Sequence, residues 1–394
     1  MDAPMQQTRR PKQQARPAKP FLARLIQRGK MDVTFFALIL VLVVVGLIAL
    51  FSSSYAFALQ NYGNSYHFIT KQVVFAVIGV ACMYLASRVD YHIYRKFAWA
   101  VYILSVVLLI VVLLLPPLQP GFDYKRWIVI GPINFQPSEI AKFAIVLLFS
   151  HLISNNYKQM QKGTFGILFL GVLLMIVCAL VVVETHLSAT LLIFSIGAAL
   201  MIIGGIKLRY VFGGLIGGVS LAAAAILSGL VDYGGDRIKS WLDPWSDVTG
   251  QGWQTIQSLL SIGSGGFLGR GIGESRQKYL WVPEPHNDFI FAIICEETGF
   301  IGAMVIIALF ALLIWRGFAV AMRAPDKFGC LMAIGLTFQV GLQAVLNIMV
   351  VTNTIPNTGI SLPFFSYGGT ALIMLLSEMG VVLSISRAST VVKT

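Results

Sequence analysis

Apolar residues recur along this chain in runs separated by short polar turns. The runs lie near 33–54, 68–87, 97–115, 140–153, 164–183, 186–204, 210–231, 289–315, 328–350 and 368–386. A helix needs ~20 apolar residues to cross ~30 Å of hydrocarbon, and most of these runs approach that length. The fourth is short, and the sixth is interrupted by polar residues. The pattern predicts an all-α polytopic membrane protein with about ten transmembrane helices. An even number places both termini on one side.

Residues 1–32 precede the first run and are rich in Pro, Gln, Arg and Lys, with almost no apolar content before Phe21. Such a leader cannot bury a core and is expected to be disordered. Ala56-Phe57-Ala58 mimics a signal-peptide cleavage site. The leader and the first run are both longer than in a signal peptide, however, and more spans follow. The run therefore reads as a retained first helix. The spans form one membrane domain over 33–386, with a leader at 1–32 and a tail at 387–394.

Charge fixes the sidedness. If the basic leader is cytoplasmic, it holds eight Lys/Arg. The turns on the same side hold three (Arg88, Arg95, Lys96), two (Lys158, Lys162), two (Lys207, Arg209) and three (Arg316, Arg323, Lys327), and the tail adds Arg387 and Lys393. Twenty of the 29 basic residues thus fall on one side, as the positive-inside rule requires. The net charge of +12 is mostly topology, which argues against a nucleic-acid partner. Apolar residues make up 57% of the 394 and charged ones 12%, far from the ~25% charged of soluble domains. Four cysteines are scattered through apolar runs without ligand or disulfide spacing and read as packing residues.

The unusual chemistry falls on the opposite, outer face. It comprises a long loop at 232–287, two moderate loops at 116–139 and 351–367, and Asp288. Pro283-Glu284-Pro285-His286-Asn287-Asp288 stiffens the approach to the run at 289, so Asp288 stands at the mouth of a membrane helix. An ionisable group there is expensive and points to function. Capping the helix it begins is an equally good account from the residues alone. Glu139 and Lys142 share one face of the fourth helix at i, i+3, and the lysine lies inside an apolar run where it needs a partner. A plain ion pair would also satisfy it. Gly263-Ser264-Gly265-Gly266 and Gly269-Arg270-Gly271 offer backbone amides that suit phosphate oxygens, though a mobile loop shows the same glycines. Trp241 and Trp245 sit in a segment suited to a short interfacial helix contacting membrane lipids. Glu184-Thr185-His186-Leu187-Ser188 joins the fifth and sixth runs, and a lone His at a helix end is more often a satisfied polar residue than a ligand.

The stretch SRQKYLWVPEPHNDFIFAIICEETGFIG, ending at Gly302, resembles the signature of the shape, elongation, division and sporulation family (FtsW, RodA, SpoVE). That family reads S-x-Q-K, then P-E-x-x-x-D-F-I-F-A, then E-E-x-G. Three further patterns agree. R-W…G…Q-P-S-E-x-x-K is matched by Arg126, Trp127, Gly131, Gln136, Pro137, Ser138, Glu139 and Lys142. Q-S-L-L-x-x-G-S-G-G is matched in the long loop, and P-x-T-G-x-x-L-P-F-x-S-Y-G-G around Ser361 and Ser366. The resemblance covers about 33–386 and is nearer the division and sporulation branch. The chain departs from it at Tyr124-Lys125, where many members have Gly-Ala, and at Thr185, His186 and Ser188, where relatives often carry P-D-L-G.

The resemblance implies a peptidoglycan glycosyltransferase in the plasma membrane, at the division site, with its chemistry outside. The substrate would be lipid II, polymerised by attack of an acceptor GlcNAc 4-OH on the donor MurNAc C1. Asp288 is then the catalytic residue, with Arg126, Glu139, Lys142, Arg270, Arg276, Gln277, Lys278 and Ser366 as substrate-binding candidates. The partner would be a class B penicillin-binding protein. No cofactor is fixed; a divalent cation, magnesium or manganese, is the one candidate, and its ligands are unknown. Two other classes compete: a lipid II flippase, which should place ions near the bilayer midplane, and a non-catalytic scaffold of the division machinery. Glu296, eight residues beyond Asp288, lies ~12 Å deeper along a helix, too far to be a paired carboxylate of the glycosidase kind.

Overall fold

In the computed structural model, residues 29–116, 125–131, 133–160, 164–207, 238–279 and 281–391 are described. The basic leader up to residue 28 and the seventh apolar run at 210–231 lie outside them. Helix α1 (Val33–Tyr62) begins where Asp32 caps it, its Oδ1 accepting from the Phe35 N–H at 3.0 Å. At ~1.5 Å per residue its 30 residues reach ~45 Å, longer than the apolar run alone suggested. α2 (His67–Arg88), α3 (Ala98–Leu114), α4 (Pro137–Asn155), α5 (Leu170–Val183) and α6 (Leu187–Ile203) follow. Next come α7 (Gln251–Gly265), α8 (Ile290–Met322), α9 (Lys327–Val351) and α10 (Gly369–Val391).

Among the described residues, α1, α2, α4, α8, α9 and α10 are long and apolar enough to cross a membrane, and α3, α5 and α6 are shorter apolar helices. The chain is an all-α polytopic membrane protein. Its fourth span has 19 residues rather than a short run, because Pro137 starts the helix and polar Ser138, Glu139 and Lys142 turn inward. α10 continues to Val391 through most of the segment read as a tail.

α4, α9 and α10 form the buried centre; most of their central residues are covered. α1, α2 and α8 expose broad apolar flanks, including Val44, Ile48, Val77, Leu85, Val305 and Trp315. Such bands are what lipid covers in a spanning helix. α10 and α2 pack closely because Gly380 has no side chain: a Cβ there would stand 2.4 Å from the Met83 carbonyl. On the basic face three helix ends meet. Arg316 near the end of α8 grips Asp32 through Nε at 3.0 Å and a terminal nitrogen at 2.9 Å, and the Asp32 N–H donates to Ser386 Oγ of α10 at 3.1 Å.

Two features depart from the sequence reading. Between α3 and α4, β1 (Ile128–Ile130) and β2 (Ile133–Phe135) form an antiparallel hairpin, with Ile128 opposite Phe135. Thr370 at the start of α10 pins it, donating to the Asn134 carbonyl at 2.8 Å. The second is the long loop, which is not all loop. A helical turn at 238–242 and a 3-10 turn at Pro244–Asp247 lie where a short helix was expected around Trp241 and Trp245, but α7, which lies along the first turns of α8, was not expected. There Ser261 Oγ donates to the Ala292 carbonyl at 3.0 Å.

α8 is broken at Gly299, where φ is 68° and ψ −168°. The break lies nine residues in, ~14 Å from the start of the helix. Freed backbone groups must be satisfied inside the protein at such a level, and the segment after α7 does this. Phe300 N–H donates to Gly266 O at 2.9 Å and Ile301 N–H to Phe267 O at 3.2 Å. In return Arg270 and Gly271 N–H donate to Glu296 and Glu297 carbonyls, each at 3.0 Å. The approach requires glycine: a Cβ on Gly299 would stand 2.3 Å from the Gly269 nitrogen.

Candidate active site

A cavity of about 480 Å³ opens between the hairpin, α4, the α5–α6 turn, the stretch before α8, and the loop between α9 and α10. Asp288, Arg126, Glu139, Lys142 and Ser366 all line it. Sequence positions far apart thus meet at one site.

Asp288 is held through its backbone. Asn347 of α9 donates its amide to the Asp288 carbonyl at 2.7 Å. Ser366 Oγ donates to the Asn287 carbonyl at 2.8 Å, and the Tyr367 N–H to the His286 carbonyl at 2.9 Å. Three consecutive peptides are clamped in this way. Phe289 takes the N-cap position of α8, so Asp288 stands one residue outside it and on the cavity wall. Opposite is Gly359 with φ 71°, where a Cβ would come within 3.2 Å of Asp288 Oδ2. His286 does not line the cavity. Its ring packs on Phe68, with centroids 4.2 Å apart, and burial pushes it down to about 4.

Lys142 is 4% exposed and pairs with Glu139 at 2.8 Å. Its Nζ also donates to Gln343 Oε1 at 3.3 Å, and Gln343 Nε2 donates to the Ser361 carbonyl at 3.0 Å. Lys142 is thereby oriented from two sides by α4 and α9. Arg126, just before β1, donates to the Thr185 carbonyl. Ser366 lines the cavity but spends its hydroxyl proton on Asn287 and accepts from the Leu362 N–H at 2.8 Å, so its bonds are those of a backbone clamp.

Arg270, Arg276, Gln277 and Lys278 are not brought to this cavity. They gather at the α8 break, around two buried carboxylates. Glu296, 0% exposed, accepts from Ser275 Oγ at 2.5 Å, Arg276 N–H at 3.0 Å and Gln277 N–H at 3.3 Å, with Arg270 Nε at 3.7 Å. Glu297 accepts from Ser52 Oγ of α1 at 2.6 Å and from Lys278 Nζ at 3.1 Å. Buried carboxylates demand such partners, and the Lys278 ammonium and the Arg276 and Gln277 backbone amides are committed to them. Of the amides expected to cradle phosphate, those of Arg270 and Gly271 are bonded to the broken helix, and that of Gly269 to the Gly265 carbonyl. Glu296 sits in this network and not beside Asp288.

The residues that sequence reasoning missed are Gln343 and Asn347. With Gln339 they recur every fourth position in the apolar run of α9, one polar stripe on one helix face. That spacing was the available signal. Lys71 and Glu284 also line the cavity. Among the described residues no three His, Cys, Asp or Glu gather to hold a metal ion.

The chain is similar to known proteins along most of its length. The FtsW/RodA/SpoVE model, described as cell cycle protein, matches residues 32–391. Stage V sporulation protein E of Bacillus subtilis (strain 168) is 37% identical over 370 residues, covering 91% of this chain and 97% of that one. The probable peptidoglycan glycosyltransferase FtsW of Geobacter sp. (strain M18) is 36% identical, covering 90% and 96%. Among solved structures, one described as "Structural coordination of polymerization and crosslinking by a peptidoglycan synthase complex" superposes with TM-score 0.76 at 27% identity, covering 91% and 98%. Thermus thermophilus rod shape determining protein RodA does so with TM-score 0.67 at 25% identity, covering 91% and 97%. Matched along nearly its whole described length, the chain belongs to the FtsW/RodA/SpoVE family of cell cycle proteins.

Proposed function

We propose that this protein is a peptidoglycan glycosyltransferase that polymerises lipid II. The observation that carries the reading is one cavity with a backbone-clamped carboxylate, Asp288, and two oriented cations, Arg126 and Lys142. Asp288 takes the proton from the acceptor GlcNAc 4-OH as that oxygen attacks the donor MurNAc C1. The C1–O bond to the lipid pyrophosphate breaks with inversion. The departing charge is met by Arg126 and Lys142, electrostatic stabilisation aimed at where charge develops. A pyrophosphate leaves without needing a proton, so one carboxylate suffices where a glycosidase needs two. The family resemblance and the relatives' names support the same reading.

The test is polymerisation of purified lipid II by purified protein in detergent. Asp288→Asn keeps side-chain size but removes the base. It should still bind lipid II yet make almost no glycan, a loss of about 10²–10⁴ in rate. Near-normal polymerisation by that variant would overturn the assignment.

The cavity face is read as outer, since the basic residues mark the opposite face as cytoplasmic. We place the protein at the division site. A class B penicillin-binding protein is the partner, held by the exposed flanks of the membrane helices, and it should co-purify in mild detergent. One observation favours a lipid flippase as the second reading. Glu378, buried well inside α10, accepts from Gln339 at 2.8 Å. A transporter places such groups near the bilayer midplane. Polymer formation in detergent, where there is no membrane to cross, decides between the two.

A further inference from the structure

The α5–α6 turn, Glu184–Ser188, has no part in the scheme above, yet it is a built wall of the cavity. Thr185 is β-branched and adopts φ 57°, a left-handed conformation such residues rarely take. Its carbonyl accepts from Arg126. Glu184, beside it, is 1% exposed, and neither carboxylate oxygen accepts a hydrogen bond. Ser188 Oγ donates to the Thr358 carbonyl at 2.6 Å, fastening the turn to the loop that carries Gly359.

His186 is 9% exposed and lines the cavity. Gln136 Nε2 lies 3.3 Å from its Nδ1. An amide nitrogen can only donate, so Nδ1 accepts and the neutral ring carries its proton on Nε2. Burial, then the charges of Arg126 and Lys142, push the imidazole down to about 3 and keep it neutral. The wall therefore sets a neutral imidazole in the same cavity as two cations, a combination suited to phosphate oxygens.

Resting on the glycosyl-transfer reading of this cavity, we propose that the turn is a wall of the subsite for the donor's lipid pyrophosphate. His186 donates its Nε2–H to a phosphate oxygen, and Glu184 is a positioning residue that governs the charge Arg126 offers the same group. Burial holds the Glu184 carboxyl up at about 8, against the pull of Arg126. At neutral pH it keeps its proton and leaves the guanidinium charge to the substrate. Above pH 8 the carboxylate competes for that charge. The other charged groups lining this cavity are Lys142 and its partner Glu139 from α4, Asp288 and Glu284 before α8, and Lys71 of α2.

The experiment measures KM and kcat for lipid II with the purified full chain at pH 7 and pH 9, and equilibrium binding of undecaprenyl pyrophosphate as a probe without reacting sugars. His186→Ala should raise KM about tenfold, the loss of one hydrogen bond to a charged group, with kcat nearly unchanged and probe binding weakened in parallel. His186→Gln, which keeps a donor, should recover part of this. Gln136→Ala should act in the same direction and add little to His186→Ala. If His186→Ala does not fold, Gln136→Ala carries the test. Wild type should show KM rising between pH 7 and 9, and Glu184→Gln should not. An unchanged KM and probe affinity in folded His186→Ala, or the same alkaline rise in Glu184→Gln, overturns the proposal. Failure of the glycosyl-transfer reading is a separate outcome: Asp288→Asn would keep polymerising while the probe shift in His186→Ala remained.

Discussion

Asn347 holds Asp288 from behind: one side-chain amide donates to the Asp288 carbonyl at 2.7 Å and to the Ile360 carbonyl at 2.6 Å. Both amide protons are used, so the peptide bearing the proposed base and the loop opposite it share one anchor. Asn347→Ala frees both carbonyls in a buried place, a loss of about 1–3 kcal/mol. Polymerisation should fall about tenfold to a hundredfold, with lipid II binding affected less. Circular dichroism and thermal unfolding in detergent check that the variant is folded; full activity would mean Asp288 needs no such anchor.

Glu139 and Lys142 form the buried pair of the cavity. Removing one member strands the other charge, which costs about 3–5 kcal/mol where solvent is excluded. Lys142→Ala and Glu139→Ala should each lower polymerisation at least about a hundredfold, and the double variant should do little worse than either. A folded Lys142→Ala protein that polymerises normally would leave the pair a merely structural one.

Much of this architecture was legible in the sequence, for identifiable reasons. The boundaries of α2 and α9 agree within one residue with the apolar runs, since removal from water, by lipid for α2 and by protein for α9, coincides with apolarity there. The Glu139–Lys142 pair followed from i, i+3 spacing on one helix, which geometry alone enforces. The destination of Arg270, Arg276 and Lys278 was not legible. Their loop looks like a phosphate cradle until α8 breaks at Gly299 and turns Glu296 and Glu297 towards it. No local pattern announces that break, because a glycine within an apolar run is ordinary in membrane helices. The hairpin at Ile128–Phe135 was also missed: three-residue strands carry too little alternation to read.

Gly299→Ala tests the break directly. The substitution demands a left-handed residue with a Cβ inside the contact with Gly269. Thermal unfolding should shift down by several degrees and polymerisation should be lost together with it, whereas Gly263→Ala, at an open position in α7, should change neither.

On the basic face, His92 links the turn after α2 to the cap of α9. Its Nε2 lies 3.0 Å from Asp326 and its Nδ1 2.7 Å from Asp90. The Asp326 hydrogen bond, then that of Asp90, raise the imidazole to about 9 against the effect of burial. Burial alone would push the Asp326 carboxyl up, but bonds from His92, Tyr91 and the Gly329 N–H outweigh it and hold it at about 2. A raised histidine contributes stability that is fully present below its unfolded value of about 6.5 and is lost as pH rises through 9. The carboxylate's contribution is present above its unfolded value of about 4 and is lost as pH falls towards 2. The unfolding temperature should therefore decline between about pH 6.5 and 9, by about 1–2 °C for so exposed a group. His92→Gln should flatten that decline; an unchanged slope would show that the cluster does not report on folding.

The break at Gly299 also bears on how such a chain enters the bilayer as it is made. A helix interrupted in hydrocarbon leaves amides with nothing to bond, and a nascent segment of that kind would stall at the threshold. Here the acceptors for Phe300 and Ile301 belong to Gly266 and Phe267, and one donor for Glu297 is Ser52 of the first helix. All three are synthesised earlier. The interrupted helix arrives after all three, at a berth already lined, and its irregular turn can be satisfied the moment it is threaded. The opposite end must wait: Asp32, at the cap of α1, meets Arg316 after some 280 more residues have followed.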